Sequence, residues 1–394
     1  MSRRKGGGPT RRTLRVAGLF AGIGGIESGL HAAGHETSLL CELDPWALEV
    51  LDRKFPGCEK HPDITTLSGL PEVDLVTAGF PCQDLSLAGT RAGLGDTRSG
   101  LVSEVFRLIK DRPPEFLLFE NVLNLLRLGR GASMRWLLDA VEDHGYRWAY
   151  RVVDSRGFGL PQRRLRVIVL ASKGDVEPAG ALFRDQVTAE VDDSIGRLEP
   201  GHTYGFYWTE GRRGVGWAKD SVPPIKGGSG LGIPSPPAVF DPNQGTAGTP
   251  TIRDAERLQG FQPGWTDVTL DGSGISEGMR WRMVGNAVSV PLARWLGDTL
   301  AVERTWTPPP DLAEMRLDRP LPRGGFGSTD GRYVVDCSTH VEVAAHEKIS
   351  DFLEEPLKPL SPRALSGYVR RADSAKRNWP EGFLEALEAQ AEAA

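Results

Sequence analysis

Cysteine is scarce in this chain of 394 residues: Cys41, Cys58, Cys82 and Cys337 are the full set. So few thiols exclude a disulfide scaffold and fit a reducing compartment, so a cytoplasmic location is expected. Cys58 and His61 form one C-x-x-H, but no second pair follows at zinc-finger spacing, so no metal site is expected. Long apolar runs are missing too. No stretch reaches the roughly 18 uninterrupted apolar residues of a membrane span, and no membrane partner is expected. The opening MSRRKGGGPTRR is basic and glycine-rich without an apolar segment behind it, unlike a secretory signal. Residues 1–13 read as a disordered arm, with nucleic-acid contact as the alternative. Neither sign of charge dominates, and the net charge is −5. That balance excludes no partner class, because a local basic patch is enough to hold a polyanion. Arg151, Arg156, Arg163, Arg164 and Arg166 crowd one short segment.

What the chain does have is a strand–helix rhythm. LRVAGLF, TSLLCELD, VDLVTAGF, EFLLFENV and RLRVIVLAS read as strands. GGIESGLHAAG, PWALEVLDRKF, SGLVSEVFRLIKD and SMRWLLDAVEDHG read as helices between them. Such alternation predicts an α/β fold: a doubly wound, mostly parallel sheet with ligands beyond the carboxyl ends of its strands. Residues 14–174 form the first part of this domain. The rhythm stops after Gly174, and residues 175–248, rich in Gly, Pro and Trp, read as a smaller irregular β/loop domain. Residues 249–303 return to the first domain through TIRDAERLQGF and GNAVSVPLARWLGDTLAVE, with Pro291 suited to a first helical turn. A C-terminal extension, 304–394, carries a strand candidate, GRYVVD, and two late helices; packing and nucleic-acid contact are both open to it.

Three stretches carry chemistry. Gly22, Gly24 and Gly25 follow the first strand and open a helix, letting backbone approach a ligand. Their G-x-G-G spacing lacks the third glycine of a dinucleotide fingerprint, which weighs against a nicotinamide dehydrogenase. Glu42, 20 positions after Gly22, suits a ribose-hydroxyl acceptor, and Asp63 suits an adenine amino group. Together these suit a nucleoside cofactor without phosphates. Cys82 sits between Pro81 and Gln83 where a strand gives way to a glycine-rich loop, Asp84 to Ser99. A thiolate there is a candidate nucleophile, and the loop a candidate lid. Glu120 closes an apolar strand as a candidate acid, with a helix cap as its plain alternative. Arg164 and Arg166 enter the strand VIVLA and are expected on one face by strand alternation.

In order, FAGIGG, Glu42, PCQ, ENV, QRRLR, RDAERLQGF and GNAV resemble the DNA cytosine-5 methyltransferases of bacterial restriction–modification systems. The resemblance runs from residue 14 to about 300. It implies a Rossmann-like class I fold that uses S-adenosyl-L-methionine. Cys82 would be the nucleophile, Glu120 would hold the cytosine ring nitrogen, and Arg164 and Arg166 would steady the flipped base and that carboxylate. Phe20, Gly22, Ile23, Gly25, Glu42, Asp63, Ile64, Gly79, Pro81, Leu101 and Asn286 would line the cofactor pocket. Residues 175–248 would be the target-recognition domain, with Arg212, Arg213, Lys219 and Lys226 among Tyr204, Tyr207, Trp208 and Trp217, and a self-packing Trp-rich core is the alternative. Gln83, Ser86, Arg98, Arg212 and Arg213 would contact DNA. Two positions depart from the pattern: Gly18 stands where many members carry an acid, and Leu43 where an aromatic often stacks on adenine. The implied partners are double-stranded DNA, met by a nucleoid-associated monomer, and a cognate restriction endonuclease. A tRNA cytosine-5 methyltransferase and a catalytically silent DNA-binding regulator are the alternatives.

Overall fold

A computed structural model describes residues 11–81, 100–174, 176–184, 196–212, 214–228, 235–302, 305–316, 319–341, 347–375 and 377–393. Two compact units emerge, interleaved along the chain. The first takes in residues 1–152, 166–186 and 290–339, and the second 153–165, 187–289 and 340–394.

A nine-stranded sheet organises the first unit. Its strands β1 (Arg15–Leu19), β2 (Glu36–Cys41), β3 (Glu59–His61), β4 (Leu75–Ala78) and β5 (Phe116–Val122) run parallel in the order β3-β2-β1-β4-β5. Antiparallel β7 (Leu165–Ser172) follows β5, then β6 (Arg147–Asp154), and the hairpin Gly324–Ser328 and Gly331–Val334 completes the far edge. The central parallel strands β1, β4 and β5 are mostly buried apolar runs, as burial on both faces requires. Local signals set the helices between them. Asp44 caps helix Pro45–Lys54, its Oδ1 accepting from the N–H of Trp46 at 2.9 Å. Helix Gly25–Ala32 crosses helix Val290–Leu300 at Gly29, where a Cβ would stand 2.5 Å from Ala293 Cβ and from Val290 O. Only glycine permits that approach. The strand order reverses at β1, and this switch point is where ligands of doubly wound sheets bind.

The second unit holds a five-stranded sheet: Lys358–Pro359, Thr246–Thr249, Ala238–Asp241, Tyr204–Phe206 and Trp217–Lys219. Its core joins Tyr204, Phe206, Val215, Ala238 and Phe240 to Leu365, Tyr368, Phe383 and Leu387 of helices Pro362–Asp373 and Phe383–Ala393.

Several expected boundaries therefore differ. The extension 304–394 divides: 304–339 add the hairpin to the large sheet, while 340–394 belong to the second unit. Residues 249–289, expected to return to the first unit, stay with the second, and the return begins at Val290. Burial explains the division, because the small sheet has no apolar cover of its own until the late helices supply it. Strand β6 was not anticipated. Arg147 and Arg151 interrupt its apolar pattern, and Arg151 is fully buried with its guanidinium on the carbonyls of Leu182 and Ser338.

Candidate active site

Pairing register places the expected site residues of the first unit on one line. His61 pairs with Cys41, Cys41 with Leu19, Leu19 with Ala78 and Ala78 with Phe119. The next residue along each of four strands is Glu42, Phe20, Gly79 or Glu120. β1, β2 and β4 stop together beside β5, which runs on to Val122, and so bring four sequence-distant residues to one level of the sheet.

Glu120 is 8% exposed, and its Oε1 lies 2.8 Å from Arg166 Nε. The pair follows from register: Glu120 faces Ile168 and Arg166 faces Val122, which makes Glu120 and Arg166 diagonal neighbours on one face. The second carboxyl oxygen looks toward Gly79. A Cβ at Gly79 would come to 3.9 Å from Glu120 Oε2 and 3.8 Å from Phe20 O, so the missing side chain leaves the space between them open. Asn121, which sequence reasoning passed over, donates from Nδ2 to Phe80 O at 2.9 Å and ties β5 to the turn entering Pro81. Glu120 caps no helix. Cys82, Gln83, Ser86, Arg98 and the candidate lid lie outside the described residues.

Beyond β1, the backbone takes left-handed conformations at Phe20 (φ 56°), Gly22 (φ 57°) and Gly24 (φ 78°). Phe20 is the costly one, because L side chains avoid this region. Nothing lies within 4 Å of where a Gly22 Cβ would be, so backbone is bare to a ligand there. Gly22 N–H donates to Glu42 Oε2 at 2.7 Å, and Asp44 N–H to Oε1 at 2.9 Å, which fixes the carboxylate at the end of β2. Leu43 is 69% exposed, an apolar surface offered to solvent beside Glu42. A bare glycine turn, a fixed carboxylate and an exposed apolar side chain fit a nucleoside with hydroxyls and a flat base. Asp63 Oδ1 accepts from the backbone and hydroxyl of Thr65, and these bonds hold its carboxyl below the usual range. Ile23, Gly25 and Ile64 are buried, Leu101 precedes helix Val102–Ile109, and Pro81 is exposed.

In the second unit, Arg164 corrects an expectation. It precedes β7 rather than lying in it, so strand alternation does not apply. It is 1% exposed, with Nη1 donating to Ile225 O at 2.8 Å and Nη2 to Gly285 O at 3.1 Å and Ala287 O at 2.7 Å. A guanidinium spent on three carbonyls is a structural clamp. Gln162 adds to it, accepting from Ile225 N–H and donating to Leu258 O. Asn286, expected in the cofactor pocket, is exposed at the end of helix Glu277–Asn286, and a Cβ on Gly227 would collide with its side-chain amide. The arginine crowd is no basic face: Arg151 and Arg164 are buried on carbonyls, and Arg156 is paired with Asp154 at 2.8 Å. Similarly, Tyr204 is core, Trp208 and Trp217 pack against that core, and Tyr207 hydrogen-bonds Pro224 O. Lys219 is paired with Glu199, while Lys226 is paired with Glu210 and lies 3.9 Å over the Tyr207 ring. Arg212 is exposed, and Arg213 lies outside the described residues.

A family model described as "C-5 cytosine-specific DNA methylase" matches residues 14–199. The chain is 47% identical over 383 residues to "Type II methyltransferase M2.BsuMI" of Bacillus subtilis (strain 168), covering 95% of this chain and 97% of that one. It is 37% identical over 167 residues to "Type II methyltransferase M.BanI" of Aneurinibacillus aneurinilyticus, covering 41% and 39%. A structure titled "Crystal structure of S. pombe Dnmt2 methyltransferase" is 20% identical at TM-score 0.49, covering 73% of this chain and 98% of that one, a likeness too loose to add to the strand order.

Proposed function

The chain belongs to the C-5 cytosine-specific DNA methylase family and methylates cytosine in DNA at C5, and we propose that Cys82, Glu120 and Arg166 carry out the step on a base flipped from the duplex. Cytosine C5 is too electron-poor to take a methyl group unaided. The Cys82 thiolate adds to C6 while the Glu120 carboxyl gives N3 a proton or hydrogen bond, which makes the ring an enamine with a nucleophilic C5. Arg166, on Oε1 of Glu120, leaves Oε2 to meet the ring in the space that Gly79 keeps open. Once C5 has taken the methyl, loss of the C5 proton to water expels the Cys82 thiolate by β-elimination, and N3 returns its proton to Glu120. The donor we propose is S-adenosyl-L-methionine, which supplies an electrophilic methyl; Phe20, Gly22, Glu42, Leu43 and Asp63 would hold it. Base flipping accounts for the need of an open edge, since the reacting atoms are hidden in a stacked duplex.

We also assign target recognition to the second unit, with exposed Arg212 as a phosphate contact. Protection of DNA from a cognate endonuclease, and action as a cytoplasmic monomer on DNA, complete the reading. Among the described residues no helix is long and apolar enough to cross a membrane.

The observation that carries the mechanism is the buried Glu120–Arg166 pair at the sheet edge. A duplex containing 5-fluorocytosine tests it. The wild-type chain with S-adenosyl-L-methionine should form an adduct that survives denaturation, and Cys82→Ser should form none while binding donor and duplex. An adduct that persists in Cys82→Ser would overturn the assignment.

A further inference from the structure

Gly18 and Glu27 share one space. Gly18, next to last in β1, pairs with Thr77 of β4. A Cβ at Gly18 would collide with Glu27 Oε1 and stand 3.0 Å from its Cδ, so the glycine is what admits this carboxyl. Glu27 comes from the first turn of helix Gly25–Ala32 and is 1% exposed. Its Oε1 accepts from the Thr77 hydroxyl at 3.0 Å, and Oε2 is buried without a hydrogen-bond partner among the described residues. A buried carboxyl oxygen left unmatched is costly to keep.

What Glu27 spans suggests why it is kept. The turn from Phe20 to Gly24, left-handed at Phe20, Gly22 and Gly24, joins the end of β1 to the start of its helix. Backbone of that kind persists only where its surroundings over-determine it. Glu27 ties the helix start to β4 across the last rungs of β1, and so fixes both ends of the turn.

We propose that Glu27 is a positioning residue for the methyl donor: from the helix side its carboxyl fills the slot left by Gly18 and holds the Phe20–Gly25 turn in its binding shape. The proposal rests on the reading that this turn holds S-adenosyl-L-methionine. Among the described residues, the charged or titratable groups facing the carboxyl are Glu42, which opposes its ionisation, and the thiol of Cys58. Burial above all raises the Glu27 carboxyl to about 7. A cationic sulfonium favours the ionised form, so donor affinity rises with pH through that range.

The test is calorimetric titration of the full chain with S-adenosyl-L-methionine, beside duplex binding measured separately. Glu27→Ala weakens donor binding about tenfold or more and leaves duplex binding intact. Gly18→Asp on that background returns a carboxyl from the strand side and restores affinity to within about threefold. Glu27→Gln keeps the Thr77 bond but loses the rise in affinity between about pH 6 and about pH 8. Donor affinity in Glu27→Ala within about twofold of wild type overturns the role of Glu27 and leaves the donor site standing. A wild-type chain that takes up no S-adenosyl-L-methionine overturns both. If Glu27→Ala does not fold, the double variant decides: restored folding and donor binding support the role, and failure of both overturns it.

Discussion

The two sheets obtain their working residues in opposite ways. In the nine-stranded sheet, Phe20, Glu42 and Gly79 sit where their own strands stop, and register brings Glu120 of β5 level with them. In the five-stranded sheet, the strands between Tyr204 and Thr249 lean on Leu365, Tyr368, Phe383 and Leu387. Arg164 and Arg166 mark the contrast within three residues. Arg166 holds a carboxylate at a strand end, and Arg164 is consumed by the carbonyls of Ile225, Gly285 and Ala287. Chemistry placed by local structure tolerates distant change, whereas a surface placed by distant packing does not.

Removal of residues 340–394 should give the largest effect. It strips Leu365, Tyr368, Phe383 and Leu387, with three further buried residues, from the small sheet; the large side chains are worth about 1.5–3 kcal/mol each, more than a marginal fold can lose. Hydrogen exchange should show protection lost at Tyr204–Phe206 and Ala238–Asp241 but retained in β1 and β4, together with loss of duplex binding. Equal loss in both sheets would erase the contrast.

Arg164→Met comes next. It takes the guanidinium from three buried carbonyls, of which Ala287 O keeps Gln259 Nε2, and urea melts should record a loss of roughly 3 kcal/mol. Arg166→Met should cost less stability but slow methyl transfer by about a hundredfold in single-turnover assays. A reversal of those two results would exchange their roles.

Glu27→Gln sharpens the picture through pH. A carboxyl raised to about 7 in the folded chain stays protonated there after it has ionised in the unfolded chain. Wild-type stability should therefore fall, relative to Glu27→Gln, as pH rises from about 4.5 to about 7, by roughly 3 kcal/mol, and the difference should level off above. Thermal melts across that window read it directly.

The smallest effect belongs to Arg212→Ala, with a few-fold loss of duplex affinity and a salt-dependence slope reduced by about one. An unchanged slope would remove this side chain from the phosphate contacts.

These contrasts also mark what the sequence could reveal. Glu42, Gly79 and Glu120 were legible because apolar runs end visibly, and register then does the assembly. Arg164 was misplaced because the strand begins one residue later than its charge pattern suggests. Asn121 was hidden by its neighbour, although Asn directly after a strand-end Glu is a signal for an anchor. The late helices were legible as helices, but their partners were not, since amphipathicity names a buried face without saying what covers it. Of the aromatics read among the basic residues, Tyr204 is core of the small sheet, and Trp208 and Trp217 pack against it.

The interleaving of the two units constrains how such a protein could acquire a new target site. Residues 153–165, 187–289 and 340–394 form one unit, but residues 166–186 and 290–339, which belong to the other, lie between them. A recombination event that imported 187–289 alone would deliver strands without the helices that cover them. If target recognition resides in this unit, as proposed above, a working chimaera has to exchange 187–289 and 340–394 together and keep them matched to 153–165.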